Sequence, residues 1–155
     1  MHRPTHWFSA VLLVPMLACA AAPESPEGQV RSFLGEMEAA AEDREIKALK
    51  AAVAEDYADD RGNDRRAIVQ LLTLHFLRNE SIHMLSRIAA VEIVPPASAS
   101  VTVYVAMAGR PIPDAAILAE LRADLYRFDF ELLRNDDEWQ VKQADWRPAR
   151  GDDFL

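Results

Sequence analysis

Ala123 to Trp146, ADLYRFDFELLRNDDEWQVKQADW, constrains this chain more than any other stretch. Tyr126, Phe128, Phe130 and Leu132 alternate with Arg127, Asp129, Glu131 and Leu133, the period of two that gives a strand one buried face. Asn135-Asp136-Asp137-Glu138 is a polar turn, after which Trp139 and Val141 alternate with Gln140 and Lys142. The stretch predicts two long antiparallel strands. A two-stranded ribbon alone is marginal in water. This one therefore needs a layer laid across its apolar face, and the earlier half of the chain has to supply it.

That half reads as helices. Ser25-Pro26 is a cap followed by a proline suited to the first helical turn. Val30, Phe33, Leu34 and Met37 then form one apolar stripe. Asp43 is expected to cap a second helix with Ile46, Leu49, Val53 and Tyr57 on one face. Residues 56–62, DYADDRG, are a polar break, after which Asn63 is expected to cap a third helix striped by Ile68, Leu71, Leu72, His75 and Phe76. Two more strands follow at 81–94 and 97–108, separated by Pro95-Pro96, and 114–121 reads as a short connecting helix. Val101, Val103, Val105 and Met107 line one face of the second of these strands, and Thr102, Tyr104, Ala106 and Ala108 the other. Neither face is charged, so both are expected to be covered, the first by helices and the second by another copy of the chain in a homodimer. The fold class is α+β, with three N-terminal helices packed on a four-stranded, mostly antiparallel sheet.

The first residues read as an address. Arg3 precedes the apolar run 8–18, which is too short for a membrane span and suits an export signal. Met16-Leu17-Ala18-Cys19 resembles a bacterial lipobox, and Cys19 is the sole cysteine, so it is expected to carry lipid. Ordinary cleavage after Ala-x-Ala is the competing reading. The expected organisation is a signal peptide at 1–18, a lipidated tether at 19–25, one domain at 26–148 and a flexible tail at 149–155. That places the protein in the periplasm or at the outer membrane, held to the membrane by its lipid alone. The net charge of −8 disfavours nucleic acid and electrostatic adsorption to anionic lipid.

Few residues invite chemistry. His75 is an ionisable group in the middle of an apolar helical face: a proton donor or ligand anchor on one reading, a hydrogen-bonded core histidine on the other. Asp59 and Asp60 suggest paired carboxylates for acid–base work, but beside Arg61, Gly62 and Asn63 they more often build a turn. Apart from His2 and His6 at the head of the export signal there is no His-x-x-x-His, and there is no clustered carboxylate pattern, so neither a metal nor another cofactor is expected. His75, Tyr126, Phe128, Gln143 and Asp145 are the candidate ligand-binding residues, the last two because they continue the phase of Trp139 and Val141.

The order helix, helix, polar break, helix and four strands, with Asp56-Tyr57-Ala58-Asp59 before the third helix and Trp139-Gln140-Val141 and Trp146 in the last strand, resembles the nuclear transport factor 2-like (SnoaL-like, cystatin-like α+β) superfamily over residues 27–147. The resemblance implies a curved sheet wrapped around the helices as a cone with an internal pocket, and frequent dimers. It also implies several possible activities, since members include ketosteroid isomerase, scytalone dehydratase, limonene-epoxide hydrolase and many proteins of no known activity. An isomerase-type site would want a tyrosine on the first helix, where Phe33 stands, and an acid on the strand 101–107, which has none. Asp59 or Asp60 could match its remaining carboxylate. A dehydratase-like set could be drawn from His75, His83, Tyr57 and Asp59. The expectation is a non-catalytic domain that binds a small apolar ligand or a protein partner, with a small-molecule isomerase, dehydratase or hydrolase using His75 and Asp59 or Asp60 as the alternative.

Overall fold

A computed structural model describes residues 25–155, so the stretch expected to be an export signal and Cys19, expected to carry lipid, lie outside the described residues. Three helices come first, α1 (Pro26–Glu42), α2 (Ile46–Ala52) and α3 (Arg65–Arg78). Strands β1 (His83–Val94) and β2 (Ser98–Ala108) follow. A 3-10 turn, Ala115–Ile117, leads into the short α4 (Leu118–Leu121), then come β3 (Asp124–Asn135), β4 (Glu138–Pro148) and a last 3-10 turn, Gly151–Phe154. The sheet order is β1-β2-β3-β4 and every pairing is antiparallel. The hairpin that closes it turns on Asp136 and Asp137 alone, both in the left-handed region at φ 47° and 67°. That is the backbone a two-residue hairpin loop requires.

The first cap is where the sequence puts it: Ser25 Oγ accepts from the Gly28 amide at 3.1 Å, with Pro26 at the first helical position. The next two are not. Asp43 closes α1 instead of opening α2, because the chain reverses at once through Arg44 (φ 59°), whose guanidinium donates to the carbonyls of Phe76 and Glu80. Asp64, not Asn63, caps α3, its carboxylate accepting from the Ala67 amide at 2.8 Å. α2 also ends at Ala52, so Val53 reaches the core from extended chain, bridging to Val141 of β4, and Tyr57 reaches it from the turn that follows, its amide donating to the Ala54 carbonyl.

Two bulges curve the sheet. In β1 the register shifts between Ile88 and Ala90, leaving Ala89 extra, and in β4 Glu131 faces Gln143 while Leu132 faces Val141, leaving Lys142 extra. An extra residue bends its strand and reverses the inward–outward phase beyond it. The inner face of β4 accordingly reads Trp139, Val141, then Ala144 and Trp146. Gln143 and Asp145, expected inside, lie on the outer face opposite Glu131 and Asp129, because unbroken alternation fails at Lys142.

The closed end of the cone is packed solid by Val30, Val53, Tyr57, Leu132, Trp139 and Val141 against the valines of β2. α1 runs from this end, where Val30 is fully buried, to the opposite one, where Glu42 accepts from the Met84 amide at the start of β1. Ala40, Leu49, Phe76 and Ile82 form a second cluster there.

Residues 149–155, expected as a flexible tail, fold back over the outer face of the sheet. Phe154 is 7% exposed, meets the Tyr104 ring edge-on at 6.0 Å between centroids, and packs with Ala106 and Leu118. The uncharged strip that the sequence leaves for a second copy is thus covered here by the chain's own end. The middle of that face is polar: Thr102 donates to Asp129 at 2.7 Å, Ser100 to Glu131 at 2.9 Å, and Arg127 and Arg147 both pair with Asp129.

Candidate functional site

The helices do not fill the open end of the cone. A cavity of about 410 Å³ remains between α1, α3 and the inner face of the sheet. Asp124 and Leu71, both exposed, rim its mouth. The period-two pattern of β3 supplies one wall, where Tyr126, Phe128 and Phe130 stand in a row with centroids 6.2 and 5.5 Å apart and Trp146 stacks beside Phe128 at 6.5 Å. Val103, Val105 and Met107 form the floor, and Leu34, Met37 and Ala41 of α1 face them.

A few polar groups interrupt this lining. His75 enters it from α3, half-buried, with the Phe76 ring 6.4 Å away. Among the described residues nothing hydrogen-bonds its imidazole. Glu38, on the same face of α1 as Leu34 and Ala41, accepts a short hydrogen bond from the Ser86 hydroxyl of β1. Tyr57 lines the base, and its hydroxyl donates to Asp59 Oδ2 at 3.0 Å. Burial first, then the adjacent Asp59 carboxylate, pushes the Tyr57 phenol well above its ordinary value. It is a fixed neutral donor.

Asp59 is spoken for. Oδ1 accepts from the Arg61 and Asn63 amides, each at 2.9 Å, and Oδ2 accepts from Asn63 Nδ2 at 2.9 Å and from Tyr57. Burial alone would raise its pKa, but the hydrogen bonds from Asn63, Tyr57 and Arg61 outweigh that and hold the carboxyl below the ordinary aspartate value. Asp59 organises the turn before α3 and does not line the cavity; neither does Asp60, which is exposed in the same turn. His83, paired with Ala108, also lies off the lining.

Of the residues singled out in the sequence, the fold brings His75, Tyr57, Tyr126 and Phe128 to one cavity and leaves Asp59, Asp60, Gln143 and Asp145 outside it. Asp145 instead pairs with Arg61 at 3.1 Å, and that guanidinium lies 3.9 Å above the Trp146 ring. Sequence reasoning missed Glu38, Ser86, Asp124 and Trp146. Glu38 carried a signal, since it follows Leu34 by four and continues the stripe of α1. Trp146 carried none, because its inward position depends on the bulge at Lys142.

No protein-family model matches the sequence, and no curated protein does. Solved structures match its shape. A proposed scytalone dehydratase from Novosphingobium aromaticivorans superposes with a TM-score of 0.63 at 14% identity, over 79% of this chain and 83% of its own. An NTF2-like protein of unknown function in nutrient uptake from Rhodospirillum rubrum gives 0.59 at 15% identity, over 78% and 98%. Bd1075 of Bdellovibrio bacteriovorus gives 0.60 at 13% identity over 78% of this chain, which spans only 40% of that protein. At such identities the likeness shows the fold and nothing further: the chain has the nuclear transport factor 2-like, cystatin-like α+β fold.

Proposed function

We propose that this domain binds a small, largely apolar molecule in its cone without transforming it, and that Cys19 holds it to a membrane by lipid after export. The observation that carries the binding reading is His75. An imidazole facing an apolar cavity of about 410 Å³ with no hydrogen-bond partner among the described residues is a polar handle awaiting a ligand. Pockets of such volume, apolar with a few convergent polar groups, are usual for small-molecule sites. The test uses N-phenylnaphthylamine, an apolar fluorophore. It should bind with unit stoichiometry, and Ala144→Trp, which fills the cavity from the edge strand, should abolish binding while leaving the melting temperature within a few degrees. A probe that fails to bind, or that ignores Ala144→Trp, removes the reading. The anchor is tested separately: palmitate should label the wild type and not Cys19→Ser.

The alternative is dehydratase or isomerase chemistry, the former being the activity proposed for the Novosphingobium neighbour. With Asp59 held in its turn and Asp60 exposed, the partner of His75 would have to be Glu38, the less exposed of the two carboxylates that line its cavity. Proton transfer between substrate and two half-buried groups such as His75 and Glu38 is reasonable chemistry. The hydrogen bond from Ser86 to Glu38 and the lack of one between Glu38 and His75 favour binding over catalysis.

A further inference from the structure

The charges around the cavity are one-sided. Glu38 and Asp124 line it, and among the described residues no lysine or arginine does. Three cations that adjoin lining residues are committed elsewhere. Arg44 is bonded to the Phe76 and Glu80 carbonyls, Lys142 is paired with Asp56, and Arg61 is paired with Asp145. An anionic ligand such as a fatty acid would therefore enter beside a carboxylate with no counter-ion, in surroundings where charge is poorly screened. A positively charged end meets the opposite situation. It has Glu38 within the cavity, Asp124 at its mouth, the unpartnered imidazole of His75, and the faces of Tyr126, Phe128 and Trp146. The Trp146 face that Arg61 already covers at 3.9 Å is the same kind of contact made from outside.

We infer that the ligand is a cationic amphiphile, an apolar body carrying one amine or quaternary ammonium group, whose charge sits between Glu38 and the aromatic wall while its body runs towards the valines of β2. The inference rests on the cavity's being a ligand site and names the chemical class that site takes.

Three probes of one chain length separate the possibilities: decyltrimethylammonium, 1-decanol and decanoate, titrated calorimetrically below their micellar concentrations. The cation should bind about tenfold or more tightly than decanoate, with decanol between them. Glu38→Gln, which keeps an oxygen for Ser86, should weaken the cation several-fold and leave decanol unchanged. A protein of net charge −8 attracts any cation loosely, so Glu36→Gln, an exposed acid on the same helix, is the control and should change neither. Equal or tighter binding of decanoate overturns the inference while leaving the cavity a binding site. A cation-to-decanol ratio that Glu38→Gln does not alter, or that Glu36→Gln alters equally, overturns it in the same way. Failure of all three probes removes the binding reading as well.

Discussion

His75 makes no hydrogen bond to the described chain, so replacing it removes nothing the fold depends on. His75→Phe keeps the ring, relieves an apolar cavity of an imidazole, and is expected to leave the melting temperature unchanged or slightly raised while weakening ligands able to hydrogen-bond to it; thermal denaturation and titration of such ligands check the two halves. Asp59 is the reverse case, a carboxylate that the folded state needs charged. Its folded pKa lies below the unfolded value of about 3.9, so its contribution is present above that pH and is lost as pH falls through the folded pKa. Wild-type stability should drop more steeply below about pH 4 than that of Asp59→Asn. At neutral pH the substitution should cost about 1–3 kcal/mol, since one acceptor must replace two in a turn of four hydrogen bonds. Urea melts across the acid range give both quantities. These residues show why sites are only half legible. Tyr126 and Phe128 declare themselves by alternation, whereas an unpartnered histidine and a fully engaged aspartate look alike until their neighbours are known.

Elements were legible where periodicity carried them. The stripes of α1 and α3 and the alternation of β2 and β3 fix their type, because each face must meet one neighbour. Caps and bulges are geometric choices between adjacent residues of similar chemistry, and there the sequence misleads by one position: Asn63 against Asp64, and Asp145 against Trp146. One position in a strand exchanges its faces. Insertion of one alanine after Gln143 should show this directly. The added residue would turn Asp145 inward and Ala144 and Trp146 outward, so the variant should lose about 4 kcal/mol or more and its cooperative transition. Deletion of Lys142, by contrast, leaves Val141, Ala144 and Trp146 on one face by plain alternation and should cost less. An insertion variant that melts like the wild type would show that the phase of β4 is not fixed.

At the scale of the whole molecule, the chain's last residues complete its sheet. Phe154 covers Ala106, Leu118 and Tyr104, the strip from which the sequence predicts a homodimer. A single aromatic at the end of the glycine–aspartate turn Gly151–Phe154 has no periodicity to announce it, which is why the tail read as loose. A dimer through this strip would have to form with the turn displaced. Phe154→Ala should uncover the strip, lower stability by about 3 kcal/mol, and raise the mass measured by light scattering at micromolar concentration relative to the wild type. An unchanged mass would show that the strip has no affinity for itself.

The course of α1 decides which way the cone would look. The helix begins beside the packed end and finishes beside the mouth, and its 17 residues span about 25 Å at 1.5 Å each. The six peptide steps from Cys19 to Ser25 reach about 20 Å at most. A lipid on Cys19 would therefore draw the packed end towards the bilayer and leave the opening directed at the aqueous compartment. Held so, the domain would collect its ligand from solution, not from the leaflet to which it is tied.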